Sequence, residues 1–135
     1  MTTYLLKTEP SVYGFDDLMR DKRTVWDGVA NAQALIVLRA MKRGDEVLIY
    51  HSNEGKAIVG IAKVAKQAYT DPRLDDPKRV VIDVQAVKPL AEPVTLAAIK
   101  AVPGLTELAL VRQSRLSCME VSVAHRKLLA KLGVS

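Results

Sequence analysis

Residues 46–69 read EVLIYHSNEGKAIVGIAKVAKQAY. Two runs rich in Val, Ile and Tyr, Glu46 to His51 and Ala57 to Tyr69, flank Ser52-Asn53-Glu54-Gly55. Branched and aromatic side chains suit a pleated surface, and Asn and Gly tolerate the left-handed backbone that a tight reversal needs. The stretch predicts a β-hairpin, and the rest of the fold is read outward from it. Downstream, Thr70 to Arg79 holds two prolines and three aspartates and reads as a surface loop. It delivers the chain to a strand over Val80 to Val87, placed to pair antiparallel with the arm before it.

Upstream, Asn31 to Met41 places Ala34, Leu35, Leu38 and Met41 at helical spacing, with Gly44 as terminator. Asp16 to Arg20 predicts a short helix whose two carboxylates sit at the positive end of its dipole, anchored by Leu18 and Met19. Thr3 to Thr8 is β-rich and ends at Glu9-Pro10, where proline removes a donor and restricts its predecessor. Toward the C-terminus, Thr95 caps a helix from Leu96 to Val102, Pro103-Gly104 breaks it, and a short turn follows around Leu108. Leu116 to Val121 predicts a closing strand. Ser122 then caps a helix over Val123 to Leu132, with Arg126, Lys127 and Lys131 in its C-terminal half. Five β segments with short helices between them predict an α+β domain built on a mixed, barrel-like sheet.

The 135 residues suffice for one domain and not for two, so residues 1–135 are read as a single unit. A lone cysteine, Cys118, excludes an internal disulfide and a Cys-based zinc cluster. No apolar run approaches the roughly 18–20 residues of a membrane span, and no basic-then-apolar leader opens the chain. A cytoplasmic, monomeric protein without a membrane partner is expected. Twenty Lys and Arg against fifteen Asp and Glu give +5, and Val111 to Ser135 alone carries five basic side chains and one acidic. A surplus so localised favours an anionic partner such as nucleic acid, although a solvated basic helix gives the same count.

Phosphate-binding glycine loops, metal-ligand spacings and nucleophile signatures are absent from the sequence, so no cofactor, no metal and no catalytic residues are expected. His51 and Ser52 are neighbours on a strand and point to opposite faces, which argues against a nucleophile and base. The informative features are polar clusters at strand ends: Lys7-Thr8-Glu9, Trp26-Asp27-Gly28, His51-Ser52-Asn53 and Arg112-Gln113-Ser114-Arg115. Each has an ordinary alternative. Lys7 and Glu9 can be solvated, Trp26 can anchor the core, Ser52-Asn53 can be a turn, and the arginines can be a surface pair.

Together the segments resemble the EVE domain family. The resemblance rests on Tyr4-Leu-Leu-Lys-Thr-Glu-Pro, Tyr13-Gly-Phe-Asp-Asp-Leu, Trp26-Asp-Gly-Val with Asn31 and Gln33-Ala34, and Lys42-Arg-Gly-Asp. It continues through Tyr50-His-Ser-Asn, Val59-Gly-Ile-Ala, Ala68-Tyr-Thr-Asp-Pro and Leu110-Val-Arg-Gln-Ser-Arg-Leu-Ser, in the same order along nearly the whole chain. The family is similar to PUA and YTH domains. The resemblance implies a PUA-like barrel of five to six strands, and a reader of a modified base in DNA or RNA that performs no catalysis.

By the same resemblance Lys7 and Thr8, Trp26 and Asp27 in the following loop, and His51, Ser52 and Asn53 on the opposing strand line the pocket. Asn31 and Gln33 lie beside it. Trp26 would supply a stacking face worth roughly 1–3 kcal/mol, Asp27, Ser52 and Asn53 would read a base edge, and Arg112, Arg115 and Lys7 would hold phosphates. The chain departs from the family pattern at Ala30 to Ile36, where arginines, a tyrosine and an asparagine are replaced, and at Glu120 and His125 in place of proline and an aromatic. A 5-substituted cytosine is the expected ligand. A free nucleotide or other small ligand, and then an enzyme acting on a modified base through Asp27 and His51, are the alternatives.

Overall fold

Tyr4, Leu5 and Leu6 lie in β1 (Thr3–Thr8) and are buried on both faces, so the strand sits inside the sheet and not at its rim. The computed structural model describes Met1 to Ser135. After β1 come two short helices, α1 (Pro10–Tyr13) and α2 (Phe15–Asp21), then β2 (Arg23–Trp26) and α3 (Ala32–Ala40). The hairpin is β3 (Glu46–His51) with β4 (Ala57–Thr70), and β5 (Val80–Thr95) returns along β4. The chain ends with α4 (Leu96–Lys100), a 3-10 turn at Pro103–Leu105, α5 (Ala109–Arg112), β6 (Cys118–Val121) and α6 (Val123–Lys131).

The six strands run in the order β2-β5-β4-β3-β1-β6. All neighbours are antiparallel except β1 and β3, which are parallel with Thr8 opposite His51. This is the mixed α+β sheet the sequence predicts, but its hydrogen-bonded ladder does not close: β2 and β6 are its two ends. Register shifts bend the long β4–β5 pair at several points.

Local chemistry explains most boundaries. Asn31, Thr95 and Ser122 cap α3, α4 and α6 by accepting from the N–H groups of Ala34, Ala98 and His125 at 3.1, 3.1 and 3.2 Å. Leu18 anchors α2 as expected, but Met19 points outward and is 38% exposed; Phe15 takes the second anchoring place. The third helix stops at Ala40, ahead of Gly44, whose φ of +92° serves the turn into β3 instead. The core is aliphatic, with Leu5, Leu6, Leu38, Leu48, Ile49 and Ile58 sealed from solvent; each such side chain contributes about 1.5–3 kcal/mol by burial.

Candidate functional site

Lys7 and Thr8 end β1, Trp26 ends β2, and Asp27 follows it. The sheet gathers all four around a partly open cavity of about 480 Å³. That volume falls within the ~300–1,000 Å³ of ordinary small-molecule sites. Trp26 is not in a loop, as the sequence suggests, but is a strand residue only 8% exposed that belongs to the core and to the cavity wall at once. Tyr13 stands against it edge-to-face, with centroids 6.5 Å apart and planes at 86°. The Tyr13 hydroxyl donates to Asp21 at 2.8 Å, and burial pushes its pKa up. Val12 and Val25 line the mouth, 78% and 43% exposed, while Thr24 and Ser117 add hydroxyls.

Asp27 forms an ion pair with Arg73, which also binds Asp71 at 3.2 Å. These two carboxylates, Asp71 first, raise the guanidinium pKa. Arg73 therefore belongs to the rim. Nothing local in the sequence marks it, since its partner lies in a distant segment. Val12 and Ser117 were equally invisible as site residues, because isolated apolar or hydroxyl positions carry no spacing signal.

The remaining sequence-selected residues do not line this cavity. His51 turns its imidazole toward α2, where Nε2 accepts from the Phe15 N–H at 3.0 Å, and no hydrogen bond joins it to Ser52. Burial lowers its pKa, against the pull of Asp16. Ser52 and Asn53 lie in a separate recess of about 190 Å³, which shares Lys7 with the cavity. Asn31 and Gln33 lie with Arg112 and Arg115 along a shallow groove of about 330 Å³, and the Asn31 side chain is already engaged as a helix cap. Arg112 is held by both oxygens of Glu107 at 2.8 Å, whereas Arg115 makes no ion pair. No three His, Cys, Asp or Glu side chains gather where a metal ion could be held, and no helix is long and apolar enough to cross a membrane.

The arrangement suits a flat, partly polar group: an aromatic wall, an apolar mouth, two hydroxyls and a half-exposed carboxylate on one rim. Compared with known families, residues Thr2 to Leu132 match the EVE domain. The chain belongs to the EVE domain family. Among curated relatives, human thymocyte nuclear protein 1 is 34% identical, the match covering 73% of this chain and 55% of that protein. This EVE domain thus spans about half the length of that relative. Among solved structures, a protein of Rhodopseudomonas palustris is 45% identical with a TM-score of 0.93, covering 98% of this chain and 93% of its own. The human THYN1 protein in complex with DNA containing 5-methylcytosine is 30% identical with a TM-score of 0.89, covering 98% of this chain and 97% of that one.

Proposed function

We propose that this EVE domain is a non-catalytic DNA-binding module that takes a 5-substituted cytosine, turned out of its strand, into the cavity beside Trp26. The observation that carries the reading is the Tyr13–Trp26 wall on a cavity of about 480 Å³ that opens at the protein surface. A base inside a duplex hides its edge, so reading it in a pocket requires turning it out, and an aromatic face repays part of the lost stacking. The apolar Val12, Val25 and Val29 suit a 5-methyl group. Asp27 can accept from the exocyclic amine of cytosine, since Arg73 occupies one of its oxygens and the side chain remains 44% exposed. Thr24 and Ser117 replace Asn53 as the groups available to the ring acceptors. The human relative bound to 5-methylcytosine DNA supports the choice of DNA and of this base.

Trp26 is the sole tryptophan, so its fluorescence reports occupancy directly. Matched oligonucleotides carrying cytosine, 5-methylcytosine, 5-hydroxymethylcytosine, adenine or N6-methyladenine are titrated, with ribose counterparts alongside. One methyl in an apolar pocket is worth about 1–3 kcal/mol, so a preference of tens-fold at most is expected for 5-substitution. Victory of N6-methyladenine, or indifference to the 5-substituent, overturns the base assignment. Release of a processed base would restore the enzyme reading.

A further inference from the structure

Beside the cavity lies the smaller recess of about 190 Å³ lined by Lys7, Tyr50, Ser52, Asn53, Lys56 and Ser114, among others. Two lysines, Lys7 and Lys56, line it and no carboxylate does; Glu54, in the same turn, is not part of the lining. The Lys7 Nζ lies 5.9 Å from the centre of the Tyr50 ring and donates to the Ser114 carbonyl at 2.9 Å. An ammonium has three donors, so two remain for a ligand. Burial lowers the Lys7 pKa, and no anion offsets that cost. In the turn beside it Asn53 takes φ +67°, which asparagine tolerates, and Lys56 takes φ +39°.

We infer that this recess is an anion site that holds a phosphate of the nucleotide whose base occupies the cavity. The inference rests on the proposed base-binding reading, and Lys7, which lines both spaces, is the physical link. Lys7 and Lys56 supply the charge, and the Ser52 hydroxyl and Asn53 amide supply neutral donors. Ser52 and Asn53 thereby acquire a role that does not require them to reach the base. The shared chemistry is a phosphate oxyanion, whether the monoester of a free nucleotide or the diester of a strand.

The test follows backbone amide NMR signals of Ser52 to Lys56 and Trp26 fluorescence in parallel. The probes are 5-methyl-2′-deoxycytidine, its 5′-monophosphate, a single-stranded oligonucleotide with one 5-methylcytosine, and inorganic phosphate. Probes bearing phosphate are expected to shift the amides while the nucleoside leaves them in place. The monophosphate should bind about tenfold tighter than the nucleoside, the effect of one charge-assisted hydrogen bond. Lys56→Gln, an exposed change outside the base cavity, should reduce that gain to about twofold or less. An oligonucleotide that outbinds the monophosphate identifies the diester as the natural source, and equal binding identifies the free nucleotide. If inorganic phosphate shifts the amides but no nucleoside or oligonucleotide changes Trp26, the base reading fails and the anion site stands. If no phosphate-bearing probe shifts these amides, or Lys56→Gln leaves the tenfold gain intact, the anion site is overturned.

Discussion

Thr8 and His51 face each other in the parallel β1–β3 ladder and grip the same connecting segment from its two ends. The Thr8 hydroxyl donates to the Tyr13 carbonyl at 2.6 Å, and His51 Nε2 accepts from the Phe15 N–H at 3.0 Å. Between these anchors sits Gly14, so the pair fixes the direction from which Tyr13 meets Trp26. His51 thus acts on the cavity wall from behind, as a positioning residue.

Such a grip depends on pH. Nε2 accepts only while the imidazole is neutral, and burial holds the folded pKa below that of a free histidine. The unfolded chain therefore takes up this proton at higher pH than the fold does. The contribution is fully present above pH ~6.5, declines as pH falls below that value, and is lost once pH has passed through the folded pKa. Urea midpoints at pH 7.5 and 5.5 should show a smaller decline in His51→Gln than in the parent protein. Identical declines would locate the pH dependence elsewhere.

Replacing Trp26 by alanine confuses binding with folding, because a side chain this buried costs about 3–5 kcal/mol when truncated. Two gentler changes separate the effects. Tyr13→Leu keeps the fluorophore, and Trp26→Phe keeps an aromatic wall of smaller area. Each is expected to weaken binding of the modified oligonucleotide, by about fivefold or more if stacking is worth 1–3 kcal/mol, with the fold retained by circular dichroism. Unchanged affinity in both variants would move the ligand out of this cavity.

Gly60 lies under the ring of Phe15, and a methyl group there would meet the ring within 2.6 Å of Cε1. Phe15 is buried and follows directly after the gripped turn, so it has no free direction in which to yield. Gly60→Ala is expected to destabilise the domain by about 1–3 kcal/mol through overpacking. Chemical denaturation measures the loss, and Phe15→Leu in the same chain should recover part of it. A neutral Gly60→Ala would show that the ring can slide.

Arg112 and Arg115 border the same groove but are not equivalent. Arg112 is paired with Glu107 at the surface, a pair worth at most about 1 kcal/mol, so a phosphate must compete for it. Arg115 has no such competitor. Arg115→Ala should therefore lower the log–log salt slope of oligonucleotide binding by about 0.7–0.9, and Arg112→Ala by less. Glu107→Gln should strengthen binding at low salt. A slope unchanged in both arginine variants removes the groove from the interface.

Much of this architecture was readable because single segments carried it. The 46–69 hairpin announced itself by two β-rich arms and the turn chemistry of Ser52-Asn53-Glu54-Gly55, and Asn31, Thr95 and Ser122 each marked a helix start. Arg23–Trp26 was unreadable as a strand because four residues show no period, and its pairing partner Ile82–Gln85 is distant. The continuation of β5 past Val87 was hidden by Pro89 and Pro93, which ordinarily demote a strand. At the site, Lys7, Thr8, Trp26 and Asp27 were found together through the family resemblance. The separation of Ser52-Asn53 from them was not visible, since the parallel register of β1 with β3 decides which strand-end side chains meet and no local sequence states it.

That register also governs the order of assembly. Thr3 pairs with Glu46 on one side and with Val121 on the other. Within this domain the first strand is therefore one whose neighbours are made late, one when the hairpin begins and the other only with β6. Closing loops of such length costs entropy before any contact repays it, which slows folding. Until β6 arrives, β1 keeps an open edge of apolar residues, and that interval is when a nascent copy is most open to pairing with the wrong strand.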